Sequence, residues 1–139
     1  MTKLRTFAFT TAFIATAATG AASSVDYAAL RDDSRMHNEL LGASIAYLID
    51  ENCPTLKLRK FRLLNKAFSL RKHAITLGYS SKEVMAYVES KTEQNRFRAI
   101  AEPILAKRGA KPGDEDSYCA VGRAEIKQGS FAGSLLYES

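Results

Sequence analysis

Apolar residues recur at helical spacing along most of this chain, and the pattern becomes clear at Ser34. Met36, Leu40, Ala43 and Tyr47 form one line, widened by Leu41, Ile45, Leu48 and Ile49, which predicts an amphipathic helix over Ser34–Glu51. Asp32-Asp33-Ser34 offers a side-chain cap and places negative charge at the positive end of the helix dipole. Pro54 biases Cys53 away from the helical region and ends the helix there. Ser23 to Leu30 shows no such period and reads as a loose start.

A second helix is expected from Leu56 to Leu77, with two apolar stripes. Leu56, Leu63, Ala67, Leu70, Ala74 and Leu77 make one; Phe61, Leu64, Phe68 and Ile75 make another, about a third of a turn away. Two stripes imply neighbours on two sides, so this helix is expected at the centre of the fold. Gly78 suits the left-handed turn that stops a helix. Ser80 and Glu83 then form an S-x-x-E capping box, with Tyr79 and Val84 placed as the hydrophobic staple around it.

The third helix begins with Val84, Tyr87 and Val88, crosses the polar stretch Glu89 to Arg96, and resumes with Phe97, Ile100, Ala101, Ile104 and Leu105 on a different face. That pattern fits one long bent helix or two helices broken near Glu93 or Pro103. One long helix is the expectation, kinked towards its end where Pro103 removes a backbone hydrogen bond. After the Gly109–Gly113 loop, Asp114-Glu115-Asp116-Ser117 caps a fourth helix carrying Tyr118, Cys119, Val121 and Ile126 and stopping at Gly129. Ser130 caps a last short turn, Phe131 to Tyr137. The expected fold class is all-α, a small bundle of four main helices plus a short C-terminal helix, wrapped around the second.

The first residues change the picture of where this fold forms. Lys3 and Arg5 precede an apolar stretch through Phe7, Phe9, Phe13 and Ile14, and Thr19-Gly20-Ala21-Ala22-Ser23 follows as a small-residue cleavage site. Residues 1–22 therefore read as a secretory signal peptide, and 23–139 as a single soluble helical domain in the periplasm or secreted. The apolar stretch is too short and too rich in Thr and Ala for a transmembrane helix, and no later segment is longer. An exported chain folds in an oxidising compartment, so Cys53 and Cys119 are expected to be joined by a structural disulfide. Redox chemistry would usually call for a C-x-x-C spacing, which is absent.

The formal charge of +5 falls to +3 without Lys3 and Arg5, an excess that bears on solubility and weak contacts rather than fold. Its distribution says more. Cys53 to Lys82 holds eight bases and no Asp or Glu, whereas Asp26 to Glu51 holds six acids and two bases. The two stretches could attract one another as antiparallel neighbours. Arg62, Lys66 and His73 share the polar side of the second helix as a candidate anion-facing surface, the plainer alternative being solvated flanks with His73 exposed. Weak contact with anionic lipid or an envelope polymer would suit such a face. The bases are scattered around the helix without an aromatic stacking platform, which speaks against nucleic acid.

Other chemistries find little support. His37, His73 and Glu39 lack the spacing of a metal site, and no C-x-x-C-H offers covalent haem attachment. There is no G-x-S-x-G, no nucleophile beside a base and no glycine-rich phosphate cradle. No catalytic, cofactor-binding or metal residue is assigned. A carboxylate pair for glycan cleavage stays open, since such pairs meet only in three dimensions.

Three phrases occur together here: Asn52-Cys53-Pro54-Thr55-Leu56, Leu77-Gly78-Tyr79-Ser80, and Ser117-Tyr118-Cys119-Ala120-Val121-Gly122-Arg123-Ala124-Glu125-Ile126. With them the chain resembles a family of small exported alphaproteobacterial proteins classed as a domain of unknown function. The resemblance implies an exported, two-cysteine helical domain, and no activity or cofactor. In plan alone it is similar to periplasmic acid-stress chaperones. The function expected is a non-enzymatic binding or accessory protein of the cell envelope with an envelope protein partner, the alternative being a periplasmic stress holdase. Phe131 to Tyr137 and the Glu89–Arg96 face are the first candidate contact surfaces.

Overall fold

Asp33 starts the helix on which the rest of the fold is built. Its carboxylate accepts the Met36 N–H at 2.8 Å, and α2 (Ser34–Asn52) runs from there to Cys53, which Pro54 holds extended at φ −120° and ψ 116°. The computed structural model describes residues 24–139; the expected signal peptide, residues 1–22, lies outside the described residues. The architecture is all-α, with one small two-stranded sheet and the expected disulfide.

Around α2 lie α1 (Ala28–Asp32), β1 (Leu56–Leu58), α3 (Lys60–Thr76), α4 (Ser81–Glu89), α5 (Lys91–Lys107), α6 (Glu115–Gln128), α7 (Phe131–Ser134) and β2 (Leu136–Glu138). Of these, α1, α3, α5, α6, α7 and β1 pack directly on it. The centre is thus α2, not the second predicted helix. That helix, α3, buries only Leu70 and Ala74.

The sequence expectation differs from the structure at three further places. Leu56–Leu58 is a strand, because its backbone pairs antiparallel with the C-terminus (Leu56 with Glu138, Leu58 with Leu136), and the helix begins only at Lys60. The long third helix is two helices: Ser90 leaves the helical region at ψ 122° and its hydroxyl accepts the Glu93 N–H, while Pro103 sits exposed inside a continuous α5. The start is not loose. Leu30 on α1 is fully buried, and Tyr27 packs against the Tyr79 and Tyr87 rings with centroids 5.9 and 5.1 Å away.

The caps read from the sequence are present. Ser80 and Glu83 exchange both capping-box hydrogen bonds, Asp114 accepts the Ser117 N–H, and Gly129 ends α6 in the left-handed region at φ +66°.

Two apolar clusters result. The larger surrounds the disulfide and includes Ile45, Ile49, Leu56, Leu105, Leu135 and Leu136. The smaller joins α1, the start of α2, the end of α3 and α4 through Leu30, Met36, Leu70, Ala74, Val84 and Tyr87.

Candidate functional site

Cys53 and Cys119 are bonded, with Cα atoms 5.1 Å apart across a sequence separation of 66. Both sulfurs lie inside the larger cluster, so the bond clamps the end of α2 to the first turns of α6.

Arg62, Lys66 and His73 share one side of α3, and that side is turned towards α2 and α7. Arg62 donates to the Ser134 carbonyl at 3.0 Å. The Lys66 ammonium lies over the Phe131 ring, 5.4 Å from its centroid. His73 is half-buried, with Nε2 3.0 Å from the Asp33 carboxylate. The Met36 N–H holds the Asp33 carboxyl below its ordinary range; burial pushes it part of the way back, and the His73 contact lowers it further.

The acidic and basic segments are neighbours, but they meet mainly towards their ends. His73 with Asp33 and Arg35 with Ser69 fix one end of α3, and Lys57 with Asp50 lies at the other. Between these ties α3 stands off α2 and leaves a cleft of about 980 Å³. Leu40, Ala43 and Tyr47 of α2, Leu63, Leu64 and Ala67 of α3, and Val88 beside the α4–α5 break form its apolar wall. Its volume lies near the top of the ordinary ligand-site range of about 300–1,000 Å³, and its lining is mostly apolar. One oxygen of Glu39, also in the lining, is buried without a hydrogen-bond partner.

Among the described residues nothing covers the second stripe of α3. Phe61 is 87% exposed, and Leu64, Phe68 and Ile75 are 51%, 45% and 44% exposed. Two stripes on α3 therefore mean one buried face and one face open to solvent. Single exposed apolar residues are ordinary, but four in line on one helix make a patch of the kind that marks an interaction surface. The pattern of residues carried this signal, since the stripe was legible. Its exposure was not, because nothing in a linear sequence says which of two stripes is covered.

Of the two surfaces considered first, the C-terminal segment is mostly interior, whereas Glu89–Arg96 is largely exposed and turns only Glu93 inward. Ala132, Leu135 and Leu136 of the C-terminal segment are buried in the larger cluster. Glu93 is buried between Arg31 and Arg96, each donating from Nε at 2.8 Å, while Arg96 also donates to the Tyr87 hydroxyl at 3.2 Å. Burial pushes the Glu93 carboxyl up, but the Arg31 and Arg96 bonds outweigh it and hold the group below its ordinary value. Glu125 is likewise buried and paired, with Arg108 at 2.6 Å and the Ser130 hydroxyl. These pairs tie α1 to α5 and the end of α5 to α6.

Among the described residues no three His, Cys, Asp or Glu side chains converge on a point that could hold a metal ion. His37 lies against the Phe97 ring, centroids 5.8 Å apart. A family model, that of a family of unknown function, matches residues 28–137. No curated protein and no solved structure matches the chain.

Proposed function

The chain belongs to the family of unknown function DUF5333, and from its geometry we propose that it is a non-enzymatic accessory protein of the cell envelope that holds an apolar segment of a partner in the cleft beside α3. The observation that carries this is the cleft itself. Tyr47, Leu63, Leu64 and Val88 line a single open trough between helices, the form in which one amphipathic helix is received by another protein. The unpartnered Glu39 oxygen would take a donor from the bound segment. The charged leader pattern of residues 1–22 and the buried disulfide support an exported, oxidising setting for this role.

The test is site-directed photocrosslinking in intact cells. A photoreactive residue at Tyr47 or Val88 should capture one defined partner, and the same residue at Lys127 on α6 should not. Equal capture at all three positions, or none at Tyr47 and Val88, contradicts the proposal.

The exposed row on α3 favours a second reading, a stress holdase that covers unfolded clients with apolar side chains. It predicts suppression of client aggregation at low pH. Absence of client protection across the pH range counts against it.

A further inference from the structure

The outward row of α3 meets the cleft only at Leu64, which borders both, and carries an inference of its own. From Phe61 to Ile75 it presents one apolar line, about 21 Å long at 1.5 Å per residue. At 100° per residue Lys60 and Arg71 run along one side of that line and Lys72 along the other. The Arg71 guanidinium lies over the Phe68 ring at 5.1 Å. At the N-terminal end of the helix Arg59 lies over the exposed Tyr137 ring at 5.7 Å. Among the described residues Lys60, Arg71 and Lys72 have no carboxylate in ion-pair range, and the whole stretch from Cys53 to Lys82 lacks Asp and Glu.

Three kinds of occupant would cover such a line. A second copy in a twofold contact brings the same patch to both sides, and so sets unneutralised cations against unneutralised cations. A protein partner would need an acidic groove concave enough to receive a convex helix. A flat anionic lipid surface meets both features at once: apolar side chains reach below the headgroups while the flanking Lys and Arg lie at the phosphates. Interfacial binding scales with buried apolar area plus attraction to anionic lipid, and this face offers both.

We infer that the outward face of α3 docks on an anionic membrane surface, with Phe61, Leu64, Phe68 and Ile75 inserted at the interface and Lys60, Arg71 and Lys72 at the phosphates. The contact is lateral, since no helix among the described residues is long and apolar enough to cross a membrane.

The test is co-sedimentation of the folded protein with vesicles of phosphatidylcholine alone or mixed with phosphatidylglycerol, at low and high salt. Binding should require phosphatidylglycerol, fall with salt, and weaken by about fivefold for each of Lys60→Gln, Arg71→Gln and Lys72→Gln. The Phe61→Ser/Phe68→Ser double variant should lose binding while keeping the wild-type helical spectrum and melting temperature, because both positions are exposed. Val88→Arg, which alters the cleft, should bind vesicles as the wild type does, so this inference and the proposed cleft function fail separately. The chain has no Trp, so a Phe61→Trp variant gives a single emission band that should shift to the blue on anionic vesicles. No sedimentation with anionic vesicles, equal binding to neutral ones, or undiminished binding by the double variant overturns the inference. Protection of the row by an acidic helical peptide without vesicle binding would overturn it too, in favour of a protein partner.

Discussion

Phe61 and Leu70 stand nine residues apart on α3 and face opposite ways, Phe61 87% exposed and Leu70 6% exposed. Nine residues are two and a half helical turns, so one helix offers the smaller core a buried leucine and solvent an open phenylalanine. Their substitutions should differ accordingly. Leu70→Ala should cost about 2–5 kcal/mol, as for other large-to-small changes in a core. Phe61→Ser should stay within about 0.5 kcal/mol of the wild type, as expected for a surface change. Urea unfolding of the two variants measures both.

The disulfide should set a large part of the stability. Closing a separation of 66 residues restrains the unfolded chain by about 4 kcal/mol on entropy grounds, an upper figure that native strain would reduce. The Cys53→Ser/Cys119→Ser variant should therefore unfold at markedly lower urea. Because both cysteines are buried, the folded wild type should resist a mild reductant that acts quickly once urea is added.

Gly133 in α7 meets the α6 backbone. An added Cβ would overlap the Glu125 carbonyl and lie 2.6 Å from Ile126 N. Gly→Ala inside a helix usually stabilises by about 1 kcal/mol, but here the overpacking should reverse the sign and destabilise by about 1–3 kcal/mol. A melting temperature raised by Gly133→Ala would show that α7 does not sit against α6 in this way.

Asp33 should make the α2 cap pH-dependent. Its carboxyl is held below the ordinary range chiefly by the Met36 N–H, so the folded state favours the ionised form. That stabilisation is complete above the ordinary carboxylate pKa of about 3.9 and is lost as the pH falls through the lower folded value. Asp33→Ala should cost about 1 kcal/mol at neutral pH, and the gap to wild type should narrow only below that ordinary value. Urea midpoints for both proteins across an acid series give the comparison.

Helix positions were legible wherever a cap and a stripe coincided. Asp33, the Ser80–Glu83 box and Asp114 sit where the spacing put them. The break at Ser90 was written in the same notation, since Ser90 and Glu93 repeat the S-x-x-E spacing, but the polar residues that follow masked it as the bend of one helix. Leu56–Leu58 could not be read as a strand locally, because its partner lies about eighty residues away at Leu136–Glu138 and long-range pairing overrides local preference. The cleft was illegible for a related reason: it lies between the His73–Asp33 pair on α3 and the Lys57–Asp50 pair on β1, and only the folded chain brings its walls together.

The proposed cleft role, the holdase alternative and the membrane contact all use apolar side chains of α3 that the free protein leaves open. Solvent paramagnetic relaxation settles that point directly, with a neutral gadolinium chelate and side-chain NMR signals along α3. Strong relaxation at Phe61, Leu64, Phe68 and Ile75, with Leu70 and Ala74 shielded, is the expected result. Phe61 and Phe68 shielded as deeply as Leu70 would contradict it, because the row would then already be covered in the free protein.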